Sequence, residues 1–182
     1  MSVSLLENKV ERDYHDLCPI NDSVFNDEQK DILERLGSFQ SPPYLEEKLF
    51  REGKFNSREE YQETFTEFKK FVALTKLYEK KMAMTSKKVD EIWHQFILFT
   101  PQYHEFCNKY LGEYLHHLPR TSYTKLDPKG RENLINNYRA TFGDLPEIWR
   151  IKSHDDCSPS GWCDACGDGG SGDCSDCSPD KL

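Results

Sequence analysis

The chain lacks most features that would mark a membrane, secreted or nucleotide-handling protein. No run approaches the roughly 18 apolar residues of a membrane span. The opening Met1-Ser-Val-Ser-Leu-Leu-Glu meets an acid too early for the apolar core of a signal peptide. A cytoplasmic protein with no membrane partner is expected. No stretch alternates polar and apolar residues long enough to claim a strand. His-Glu-x-x-His, a nucleophile elbow and a Walker loop are absent, and the glycine run at 167–173 is acidic and carries no Gly-Lys-Ser/Thr. Apolar residues are also scarce, at 36%. Basic charge is short: the net charge is −8, and seven Asp against one Lys between Ser153 and Leu182 account for −6 of it. Such a tail repels a phosphate backbone, which excludes a nucleic-acid partner. The pairs Lys69-Lys70, Lys80-Lys81 and Lys87-Lys88 read as solvated helix faces rather than a basic patch.

Aromatic side chains make up for the apolar shortage, with eleven Phe, nine Tyr and three Trp in 182 residues. Their spacing predicts an all-α body, an irregular bundle of about five to six helices over residues 1–152. Asn26 before Asp27-Glu28-Gln29 is a capping-box signal, and Gly37 marks a stop. Ser41-Pro42-Pro43 reads as an extended joint. Ser57 and Glu60 open the longest helix, whose buried stripe is Tyr61, Phe65, Phe68, Val72 and Leu77. A helix over 88–99 buries Val89, Ile92, Trp93, Phe96 and Ile97. Thr100-Pro101 starts another that ends at Gly112. Asp127-Pro128 opens the last, closed by Gly143, before a short Pro146-Glu-Ile-Trp149 segment packs back.

Residues 90–119 hold four of the six histidines and one cysteine. Asp90 and His94 are four apart and share a helix face; His104 and Cys107 are three apart on the next helix. The tight Thr100-Pro101 link makes a corner that can bring His94 towards Cys107. His116 and His117 follow Gly112, where the chain can turn back. Two imidazoles and a thiolate supply three corners of a tetrahedral zinc site, so His94, Cys107 and His117 are the expected ligands. His116 or Asp90 can complete the set, or Asp90 can orient His94 by accepting its second ring proton. Taken singly, such a histidine is more often hydrogen-bonded or exposed, and Cys107 alone is most often a small core hydrophobe.

The patterns Val89-Asp90-x-x-Trp93-His94-x-Phe96-Ile97, Tyr103-x-x-Phe106-Cys107, Gly112-x-x-Leu115-His116-His117-x-Pro119 and Tyr138-x-x-x-Phe142-Gly143-x-x-Pro146-x-x-Trp149 resemble bacterial small proteins grouped with the glycine-rich domain-containing proteins of plants. The resemblance covers residues 57–150 and implies a helical body with a Gly/Cys-rich tail and no defined reaction. The plant members carry a further ligand-like residue where this chain has Gln95.

From Ser153 the composition changes to Cys, Asp, Gly, Ser and Pro, too poor in apolar surface to fold unaided. Residues 153–182 are therefore expected to be a disordered or metal-ordered tail. Cys163-x-x-Cys166 and Cys174-x-x-Cys177 can close a four-thiolate site for zinc, or for Cu(I), which soft thiolates also suit. Cys157 stands outside both pairs. Three functions compete. The first is a non-catalytic metal-binding protein whose tail buffers, senses or docks metal, with a protein partner reached through the tail. The second is a metal-dependent hydrolase with Asp90 or Glu105 as base. The third is a recognition body whose cysteines another enzyme modifies.

Overall fold

A computed structural model describes residues 17–78, 80–118 and 128–150. The four tail cysteines of the expected thiolate site, together with Cys157 and the cap signal at Asp127, lie outside the described residues. Six α-helices carry the body: α1 (Asp27–Gly37), α2 (Pro43–Arg51), α3 (Arg58–Leu77), α4 (Lys87–Leu98), α5 (Thr100–Phe106) and α6 (Pro128–Phe142). Short 3₁₀ turns at Asp22–Val24 and Glu147–Trp149 flank them, and no strand occurs among the described residues. The all-α reading holds.

Capping chemistry sets the helix starts. The Asn26 side chain accepts from the Gln29 N–H at 2.9 Å while Gln29 returns a bond to the Asn26 N–H, a reciprocal box. The Ser57 and Ser86 hydroxyls cap α3 and α4 by accepting from the N–H groups of Glu60 and Val89, without a returned bond. The Pro-Pro joint is extended only at Pro42; Pro43 is already the first residue of α2, a helix not separated from the joint by its sequence. Helix α5 begins one residue early, with Phe99 as its cap and Pro101 in its first turn.

Helix α3 is the axis of the body and packs against α1, α4 and α6, while α4 also contacts α2 and α5. The core is aromatic at every level: Phe39 sits 4.6 Å from Phe106, Phe96 5.2 Å from Phe106, and Phe71 stacks on Trp149. Rings that each bury about 150–250 Å² explain how a chain poor in aliphatic residues still builds a core.

Two polar devices lock α3 to its neighbours. The Glu67 carboxylate, inside the core, accepts from Trp149 Nε1 at 2.6 Å, from the Tyr138 hydroxyl at 2.9 Å and from Lys70 Nζ at 2.9 Å. It thus ties α3 to α6 and to the last 3₁₀ turn. The Lys69 ammonium, only 2% exposed, donates to the carbonyls of Gly37 and Phe39 at the end of α1. The Lys69-Lys70 pair is therefore not a solvated face: the first amine meets the negative end of the α1 dipole, and the second pairs with Glu67.

Burial pushes the phenols of Tyr61, Tyr103 and Tyr138 well above the ordinary tyrosine range, with the Glu67 carboxylate adding to the rise at Tyr138. Their folded values exceed the unfolded value near 10, so this contribution to stability is complete below pH ~10 and is lost as pH rises beyond it. Each phenol should remove about 1.4 kcal/mol per pH unit there. Denaturant midpoints measured from pH 8 to 11 should fall steeply above 10. Folded protein whose phenolate absorbance titrates near 10 would contradict this.

Candidate functional site

The site is assembled from one helix and the segment that returns over it. Helix α5 runs into a widened π turn at Cys107–Leu111, and Gly112 follows in the left-handed region at φ 75°. A β-carbon at Gly112 would meet nothing within 4 Å, so the glycine serves the backbone angle and not a close contact. The chain then reverses across α4. Its path is fixed by the Tyr103 hydroxyl, which accepts from Trp93 Nε1 at 2.9 Å and donates to the Leu115 carbonyl at 2.6 Å. A Lys76–Glu113 ion pair fastens the segment to α3.

This path lays His117 on α4. His117 Nε2 donates to Asp90 Oδ1 at 2.8 Å, and its ring stands edge-on to Trp93 at 4.4 Å. His94, one turn beyond Asp90, brings Nδ1 to 3.6 Å from the other carboxylate oxygen, Oδ2. The two imidazole centroids are 4.5 Å apart. One ligand atom from each of Asp90, His94 and His117 lies within 4.8 Å of the other two, and no other such group of His, Cys, Asp or Glu occurs among the described residues. The side chains are 28%, 45% and 9% exposed in that order, so the group is a shelf whose inner wall is His117 and whose outer edge is His94. Two surface concavities lie away from the shelf, one along Leu17, Cys18, Asp22 and Lys30, another along Pro128, Arg131 and Ile135.

The expected convergence of His94, Cys107 and His117 takes a different form. Asp90 occupies the place foreseen for the thiolate. Cys107 is fully buried, and its thiol lies against the Tyr103 hydroxyl one helical turn back. It faces inward with Tyr103 and Phe106 while His104 points to solvent and bonds Asn108, so the shared face expected for His104 and Cys107 does not form. His116 is exposed against Tyr114, 4.8 Å between rings, and stays out of the group. Asp90 is also closer to His117 than to His94, the partner its spacing suggested. The sequence marks Trp93 as a core residue and Tyr103 only as part of a family-like pattern, and the positioning role of both escapes it. The one signal was chemical, since a buried indole N–H or phenol must find a partner.

Tyr103→Phe removes the shared hydroxyl and leaves the Trp93 N–H and the Leu115 carbonyl unpaired. A loss of about 1–3 kcal/mol is expected by urea denaturation. Amide exchange should rise over 112–118 more than over α4; uniform protection would show that the hydroxyl does not hold the segment.

The UCP032817-like family model matches residues 31–141, more than half of the chain, and the match contains Asp90, His94 and His117. The chain belongs to the UCP032817-like family. That family name carries no reaction, and the match gives no support to the glycine-rich kinship suggested by the motifs. No curated protein and no solved structure matches. The UCP032817-like match runs from within α1 to the end of α6, and so takes in every helix that builds or supports the shelf. No helix among the described residues is long and apolar enough to cross a membrane.

Proposed function

We propose that this protein binds a divalent transition-metal ion, zinc in the first instance, through Asp90, His94 and His117. The observation that carries the reading is the meeting of two imidazoles and one carboxylate within 4.8 Å, drawn from two separate chain segments. Zinc bound at about 2.0–2.1 Å to tetrahedral donors holds them roughly 3.3 Å apart. The imidazole nitrogens stand 2.8 Å from one Asp90 oxygen and 3.6 Å from the other, near that value, and an ion would take the place of the proton now shared by His117 and Asp90. The plain alternative is a hydrogen-bonded clip in which Asp90 staples the returning segment to α4.

A non-catalytic role fits best. With His94 nearly half exposed, the group stands open to solvent, which leaves a substrate little to be held by. The hydrolase reading draws on a single feature: three protein ligands leave a fourth position for water. The thiol-rich tail adds a buffering, sensing or docking role through Cys163, Cys166, Cys174 and Cys177. The narrower kinship with glycine-rich domain-containing proteins rests on the Asp90-x-x-Trp93-His94 pattern and supplies no reaction.

The test is metal stoichiometry by equilibrium dialysis. Full-length protein with all five tail cysteines changed to serine should retain one zinc equivalent per chain. A metal-free result at free zinc in the micromolar range would leave only the clip.

A further inference from the structure

The shelf offers three donors, one short of a tetrahedron, and a further imidazole stands one residue away, facing outward. We infer that the metal-loaded chain pairs with a second copy of itself, each copy's His116 taking the fourth position on the other's ion; this rests on the metal reading of Asp90, His94 and His117.

His116 is turned away from the ion of its own chain. The His117 ring turns in against Trp93 and Asp90, whereas His116 is exposed and lies ring to ring with Tyr114 at 4.8 Å. No ligand atom of His116 joins the group formed by Asp90, His94 and His117. The return segment is held in this sense by the Tyr103 hydroxyl on the Leu115 carbonyl and by the Lys76–Glu113 pair. Swapping the two rings would break that fastening. The outward imidazole is therefore a donor for another molecule.

A second copy suits the surface because the donor and the site it would complete share one patch. Pairing about a two-fold axis matches a patch with itself, so that residue i meets j and j meets i. The Cα atoms of His116 and His117 are ~3.8 Å apart. An axis passing beside them sets both ions and both donor rings in one compact contact. His104, an exposed ring on α5, is engaged by Asn108 instead.

Apolar surface and charge agree with this partner. Five large apolar side chains are exposed among the described residues, and three of them flank the shelf. Leu98 lies one turn along α4 from His94, Tyr114 lies against His116, and Leu118 follows His117. Exposed leucines scattered singly need no explanation, but a group gathered round a metal site marks a contact surface. Residues 1–152 carry a charge of only −2, because the segment from Ser153 holds −6 of the total −8. One divalent ion per chain cancels that −2, so repulsion between two bodies falls when metal loads. Glu113, the one acid between Gly112 and Leu118, is already paired with Lys76. At each ion a metal–water bond breaks and a metal–nitrogen bond forms, a neutral imidazole being the entering ligand. Pairing is thus coupled to metal loading.

The test is sedimentation of full-length protein with its five tail cysteines changed to serine, in a phosphine reductant. One equivalent of zinc chloride per chain should double the mass, and EDTA should restore the monomer. H116A should still bind one zinc per chain but stay monomeric at the same concentration, while H104A should dimerise like the parent. Both rings are exposed, so neither change threatens the fold. H94A should lose zinc and dimer together. Zinc bound by a parent that stays monomeric would overturn the inference and leave the three-donor site standing. A dimer that forms without zinc, or that survives H116A, would overturn it too. A protein that binds no zinc would overturn both readings together.

Discussion

Glu67→Ala should be the most destabilising single substitution of a polar residue in the body, by about 3–5 kcal/mol in urea denaturation. The change removes one acceptor and strands three donors: the Trp149 indole, the Tyr138 hydroxyl and the Lys70 ammonium. The indole and phenol donors are enclosed, so water cannot readily replace the carboxylate. Glu67→Gln keeps an acceptor oxygen and the side-chain shape, so it should cost less than half as much. Tyr138→Phe removes one donor of the three and should cost least. That order distinguishes loss of a hub from loss of packing. A Glu67→Ala protein within 1 kcal/mol of the parent would mean that the three donors find other partners. The same variant should also loosen the terminal 3₁₀ turn, because the Trp149 side chain then keeps only its ring contacts with Phe71 and Tyr138, beside the backbone bond from Thr85 to its carbonyl.

The second large effect concerns the ion. At free zinc 100-fold above its dissociation constant, binding to the folded chain alone adds about 2.7 kcal/mol. This gain should fall to about 0.4 kcal/mol or less in His94→Ala, which corresponds to a loss of affinity at the body site of ~100-fold or more. His94 is the cleanest position for the experiment: it is nearly half exposed, so its removal should leave metal-free stability almost unchanged. His117→Ala should abolish the gain as well, but with a metal-free cost, because that ring packs on Trp93 and bonds Asp90. Asp90→Asn keeps a side-chain acceptor for His117 and removes the charge a divalent ion needs. These measurements belong in the full-length protein with the tail cysteines changed to serine. A zinc-dependent gain that persists in His94→Ala would place the ion elsewhere.

Much of the architecture could be read from residue spacing because its causes are local. The Asn26–Gln29 box, the serine cap at Ser57 and the Gly112 turn each depend on residues within a few positions of one another. The Asp90–His94 pairing is local in the same sense, being one helical turn. What escaped depends on long-range packing. Helix α2 is nine residues behind a Pro-Pro joint, too short to announce itself by periodicity. The inward turn of Cys107 is decided by the row it shares with Tyr103. Lys69 looked like half of a surface pair, yet its partners are carbonyls about thirty positions upstream. The arrival of His117 over Asp90 needed both a glycine visible in the sequence and a phenol whose two partners were not.

The enclosed ε-amine of Lys69 gives the fold a built-in reporter. Amine-directed acylating reagents should label Lys80, Lys81 and Lys87 freely while sparing this one, since its route to bulk water opens only when α1 lifts from α3. Its labelling rate, followed by peptide mass spectrometry, would therefore count excursions of that helix in a native sample, with no denaturant and no engineered probe.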